Sequence, residues 1–171
     1  MHVKELNHCR HITLSWQNDR LLRLTPLAES DDGKSRITKF ARHGQRRAHH
    51  KGALPNHAGW VLDQESFFKT HDFQHSQAYF SCVTSATKHR QSIKMTLPAG
   101  LYLEIIFSGT FCENAAKLSK RIEHFLQAND LEPVGNIYIL PLENHWFSCD
   151  CEQYVNKIFL KVVDKDTSSL T

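Results

Sequence analysis

The sequence predicts an α+β fold in which two duplicated β-α-β-β units form one curved antiparallel sheet with two helices on one face. Three observations predict it. A strongly amphipathic helix lies between runs of branched and aromatic residues in the back half of the chain, and a fainter set of the same elements occupies the front half. Matching elements lie roughly 80 residues apart, which marks an internal duplication.

The helix spans Glu113 to Asn129, with Leu118, Ile122, Phe125 and Leu126 on one stripe and Lys117, Lys120, Arg121 and Glu123 outside it. Such a helix packs by one face on something flat. Ahead of it, Leu101 to Ser108 is rich in branched and aromatic residues, and Pro98, Ala99 and Gly100 punctuate its entry, so a strand is predicted. Behind it, Pro133 and Gly135 are expected to turn the chain into a strand from Asn136 to Leu142. The last strand, Tyr154 to Val163, alternates Val155, Lys157, Phe159, Lys161 and Val163 against Asn156, Ile158, Leu160 and Val162.

In the front half the same order is a strand at Leu21 to Ala28, a basic helix from about Ser35, and strands at Ala58 to Asp63 and Gln77 to Thr84. Ile37, Phe40 and Ala41 support the helix, and Gly44 is expected to stop it. An earlier strand, His11 to Trp16, extends the first or stands alone. Gln64 to Ser76 carries Phe67, Phe68 and Phe73 among polar residues and reads as a connecting loop, whose aromatics suit the rim of a binding site. Two such units put both helices on one face. The opposite face stays partly open, and a curved open face is where a ligand cleft forms.

At 171 residues, 40% apolar and 23% charged, the chain suits one good core. A single domain over 1–171 is expected, with halves at about 10–90 and 91–165. No apolar run approaches the ~18 residues a membrane span needs, and Met1 to Arg10 lacks the apolar segment of a secretory signal, so a cytoplasmic protein with no membrane partner is expected. The five cysteines show no framework spacing and read as reduced thiols. Only Cys149 and Cys151 with nearby His145 resemble metal ligands, but one residue separates the cysteines and no second pair is visible, so neither metal nor cofactor is expected. The histidines are scattered, and no glycine-rich phosphate loop, nucleophile elbow or paired-acid motif occurs. An enzyme is therefore not predicted. Seven basic residues and no acid between Lys34 and Lys51 leave the rest of the molecule slightly acidic. That stretch is a solvated helix face or a docking surface for a phosphate backbone or an acidic protein partner.

Taken together, Met95 to Gly109, the helix that follows, and Asn136 to Val163 resemble the effector-binding domain of GyrI-like proteins, the Rob branch of AraC-type activators and the multidrug regulator BmrR. Pro98, Gly100 and Tyr102 match the proline-x-glycine turn into a tyrosine-bearing strand. The likeness is specific over roughly 92–163 and looser forward to about residue 10. It implies a doubled β-α-β-β fold that binds lipophilic, often cationic molecules among aromatics, with buried carboxylates as counter-ions. The usual partner is an attached DNA-binding helix-turn-helix. Residues 1–50 are too few and too weakly periodic for one, so a stand-alone member without direct DNA binding is expected.

One departure stands out: where drug-binding relatives place a glutamate after the strand tyrosine, this chain has Ile139 after Tyr138. Glu104 and Glu143 are the carboxylates that could take over, Glu143 lying on the face of Ile139 by period-two counting. Trp60, Phe80, Phe107, Tyr138 and Trp146 are the candidate ring faces, and Ile139 completes the expected ligand-binding set. Two other readings compete with a small-molecule module. One is a hydrolase on the same fold acting on a reactive natural product, with Glu104 or Glu143 positioning water beside Tyr138 or Trp60. The other is a protein-interaction module that uses the basic stretch.

Overall fold

The computed structural model describes residues 9–48, 58–71, 76–83, 93–143 and 154–168. Along the chain run β1 (Cys9–Gln17), β2 (Arg20–Pro26), α1 (Gly33–Ala48), β3 (Gly59–Leu62), α2 (Gln64–Thr70) and β4 (Ser76–Val83). They are followed by β5 (Ile93–Leu97), β6 (Gly100–Ser108), α3 (Phe111–Ala128), β7 (Leu131–Glu143), β8 (Val155–Asp164) and the single turn α4 (Lys165–Ser168). The strands make one curved, unclosed antiparallel sheet in the order β1-β6-β8-β7-β3-β4-β2-β5.

Read inward from either edge, that order is the same. β1 lies on β6 and β5 lies on β2, so each half lends its leading strand to the other half. The expected β-α-β-β unit is present twice, and each copy carries this one further strand in front. His11 to Trp16 is that strand in the first copy; it does not extend β2. The β3–β7 pairing, Trp60 opposite Ile139 and Val61 opposite Tyr138, joins the halves.

The helices cover one face. Leu118, Ile122 and Leu126 of α3 bury against Leu103, Ile105 and Phe107 of β6, Ile137 and Ile139 of β7, and Ile158 and Leu160 of β8. This is the apolar stripe read from the sequence, now with the sheet beneath it. The turn expected at Pro133 and Gly135 is absent, because β7 runs straight through both. Pro133 pairs with Val162 of β8, while β3 reaches only Ile137 to Ile139, so the missing N–H faces an unpaired edge. Gly135 takes φ +79° at a register shift between Val134 and Ile137, the backbone a bulge requires.

The segment read as an aromatic loop is partly helical. Asp63 caps α2 by accepting from the Ser66 N–H at 2.7 Å, His71 closes it in the left-handed region, and Phe67 enters the core beneath the helices. His71 Nδ1 then meets Ser119 Oγ at 2.8 Å, fastening α2 to α3. Phe73 lies outside the described residues. Asp32 starts α1 by accepting from the Ser35 N–H at 2.7 Å, and the helix continues past Gly44, where glycine costs only about 1 kcal/mol.

Beneath α1 one contact with the sheet is polar, at His43. His43 is fully buried between Thr25 Oγ1, 2.8 Å from Nδ1, and Ser81 Oγ, 2.7 Å from Nε2, while Arg23 donates to the His43 carbonyl at 2.8 Å. Replacing His43 by leucine removes the partner of both hydroxyls. Since an unsatisfied buried hydroxyl costs roughly 1–3 kcal/mol, chemical denaturation of His43→Leu should show a loss of that order despite the gain in apolar surface. Among the described residues no helix is long and apolar enough to cross a membrane.

Candidate functional site

Period-two alternation sends one set of side chains to the helices and the other to the free face of the sheet. On that free face β2 contributes Leu22 and Leu24, β3 Val61, β4 Phe80, β6 Tyr102, β7 Tyr138 and β8 Phe159. Tyr138 and Phe159 lie face to face, with centroids 5.2 Å apart and 14° between their planes. Phe80 meets the two edge-on at 5.6 Å and 6.2 Å, and Tyr102 tilts against Phe159 at 6.4 Å. Offset and edge-on contacts put the positive edge of one ring on the negative face of the next. All four rings are buried, and the polar residues nearest them are more exposed.

Glu104 is one of these, directly opposite Phe159 in the β6–β8 register. Lys157 Nζ donates to its Oε1 at 2.6 Å and sits 5.8 Å from the centroid of the Phe159 ring. Gln17 Nε2 donates to the same oxygen. The side chains of Lys157 and Glu104 keep 22% and 16% of their exposure, so neither charge is wholly stripped of water. Tyr102 donates its hydroxyl to the Pro98 carbonyl at 2.7 Å, which ties the layer to the turn before β6.

Burial pushes the Tyr138 hydroxyl up to about 12, with the neighbouring Tyr102 adding to the shift and a hydrogen bond to Asn136 opposing it. The folded protein therefore holds this phenol neutral at a pH where the unfolded chain, titrating near 10, already ionises it. Its contribution is complete below about pH 10 and is lost as pH rises through about 12. Alkaline unfolding of Tyr138→Phe should accordingly be less steep over that window. Equal slopes would show that this hydroxyl does not respond to burial.

Of the residues expected at the site, the free face unites Phe80, Glu104 and Tyr138. Phe107 and Ile139 point the other way and are fully buried under α3. Trp60 also faces the helices, stacked on Phe40 of α1 at 6.1 Å and meeting Tyr79 edge-on at 6.3 Å. Strand parity carries them to that side. The register shift between Pro141 and Glu143 pairs Glu143 with Val155 and breaks the period-two count from Ile139. Trp146 lies outside the described residues, as do His145, Cys149 and Cys151. Among the described residues no three of His, Cys, Asp and Glu gather as a metal site. Of the basic stretch, Lys34 and Arg42 are exposed, while Lys39 is paired with Asp31 and Arg36 donates to the Asp31 carbonyl at 3.1 Å.

Sequence reasoning missed Gln17, Lys157 and Phe159. Their signal was present for β8, where Lys157, Phe159 and Lys161 share one side of the alternation. Nothing local marks Gln17, which reaches Glu104 only because β1 crosses to the far half of the sheet.

No protein-family model and no curated protein matches the chain. Its fold matches EcmrR in the EcmrR–DNA complex with a TM-score of 0.68 at 12% identity, over 94% of this chain and 60% of that one. The isolated EcmrR C-terminal domain matches with a TM-score of 0.66 at 10% identity, over 90% of this chain and 98% of that one. SAV2435 bound to tetraphenylphosphonium follows with a TM-score of 0.53 at 12% identity, covering 90% and 94% of the two chains. The fold is GyrI-like. A hydrolase encoded by lin2189 from Listeria innocua shares this GyrI-like fold, with a TM-score of 0.61 at 8% identity over 90% of this chain and 92% of that one. The same fold thus occurs in a protein that forms a complex with DNA and in one described as a hydrolase, so the fold alone does not decide function.

Proposed function

We propose that this chain binds a small lipophilic organic cation at the margin of the aromatic layer, as a ligand-sensing or sequestering module. One observation carries the reading: Glu104 lies directly across from Phe159, on the face the helices leave free and beside the Tyr138–Phe159 stack. A carboxylate next to ring faces attracts positive charge twice over, by Coulomb interaction and by the ring quadrupole, the latter worth about 0.5–2 kcal/mol. SAV2435, of similar fold, holds tetraphenylphosphonium, and this supports a cation as ligand. Catalysis fits the site less well, because the Glu104 oxygen that would activate water already accepts from Lys157 and Gln17.

The test is thermal denaturation with tetraphenylphosphonium, followed by calorimetric titration. Saturation at a hundredfold over Kd should stabilise the protein by about 2.7 kcal/mol, and Glu104→Gln should weaken binding roughly tenfold. An unchanged melting temperature with every lipophilic cation tried would refute the proposal.

A further inference from the structure

Among the described residues, a buried polar atom beside Glu104 has no hydrogen-bond partner. Gln17 is only 5% exposed, and its Oε1 is buried without a hydrogen-bond partner. The orientation of the amide follows from its neighbour: Nε2 donates to Glu104, and a reversed amide would set two oxygens against each other. An acceptor in want of a donor therefore stands beside a carboxylate. The carboxylate itself is met by a primary ammonium, since Lys157 Nζ lies 2.6 Å from Glu104 Oε1 and 5.8 Å from the Phe159 ring centroid. Anion, ring face and N–H donor are thus already combined, with the donor supplied by the chain.

We infer that the cation this site selects carries N–H groups, as a protonated primary or secondary amine or an amidinium on an aromatic body, and that Lys157 is its internal stand-in. The inference rests on the proposed binding function and narrows its ligand class. An incoming ammonium takes over Glu104 as Lys157 swings to solvent, and its second N–H meets Gln17 Oε1. A quaternary ammonium or phosphonium replaces the charge but leaves Gln17 unsatisfied. Sites built to hydrogen-bond a donor discriminate strongly against analogues that lack it. Lys157 is well suited to exchange, because its alkyl stem can stay on the apolar face while the ammonium moves.

Calorimetric titration with a matched pair, naphthylmethylammonium and naphthylmethyl-trimethylammonium, tests this on the unaltered protein. The N–H form should bind about tenfold or more tightly. Gln17→Met, which keeps the shape and removes the acceptor, should bring the two affinities within about twofold. Lys157→Met should tighten both cations by about tenfold, because no tethered ammonium competes. Equal affinity of the pair for the unaltered protein overturns the N–H selectivity while the cation-binding function stands. A preference that survives Gln17→Met removes Gln17 from the recognition, and unchanged affinities in Lys157→Met refute displacement. If neither member of the pair nor tetraphenylphosphonium binds, the binding function and the inference fall together.

Discussion

Gly59→Ala is expected to destabilise the fold by about 1–3 kcal/mol in urea titrations, a large effect for one methyl group. A Cβ at this position would lie 2.4 Å from Cε1 of Phe80 and 2.4 Å from the carbonyl oxygen of Ile139. The two contacts differ in kind. The ring belongs to a side chain that can be shortened, whereas the carbonyl belongs to β7 at the junction of the two halves. Phe80→Leu in the Gly59→Ala background should therefore recover only part of the loss, and the double-mutant cycle should show the coupling. Full additivity would mean that the ring and the methyl never meet. The same glycine connects packing to function, since it lets Phe80 lie edge-on to both Tyr138 and Phe159.

Leu103→Ala should cost more, about 2–5 kcal/mol, because the residue is fully buried beneath α3 and its loss leaves a cavity. The matched control is Leu14, which pairs with Leu103 across β1 and β6 and points to the same side but is 41% exposed. Leu14→Ala is expected to cost less than about 1 kcal/mol. Denaturation midpoints of the two variants, taken with unchanged slopes, measure the difference. Similar losses at both positions would mean that the α3 layer is not the principal core.

Much of this fold was legible because its signals are local. The stripe Leu118, Ile122, Phe125 and Leu126 specifies a helix with one buried face whatever lies beneath it, and the alternation of β8 assigns Lys157 and Phe159 to one side and Ile158 and Leu160 to the other. Other features were concealed by local signals that tertiary contacts overrode. Pro133 and Gly135 read as a turn, yet an unpaired strand edge and a bulge absorb them. Phe67 read as an exposed rim, yet the Asp63 cap winds its segment into a helix that carries the ring inward.

For the candidate site, the residue types were readable and their facing was not. Trp60, Phe107 and Ile139 have the right chemistry for a cleft, but pairing with neighbouring strands turns them toward the helices. Glu104 was readable as a candidate counter-charge, while its partners Gln17 and Lys157 lie 87 and 53 positions away in the chain.

Composition and periodicity by themselves determined the α+β class and the order of elements, since each element depends on residues within a few turns of one another, whereas a carboxylate among the aromatic strands was what the resemblance implied. Only the tertiary structure decided which half owns β1 and β5, which rings share the free face, and that Glu104 meets an ammonium and an amide. These outcomes depend on register between distant strands. A one-residue change in register exchanges the two faces without altering any local pattern.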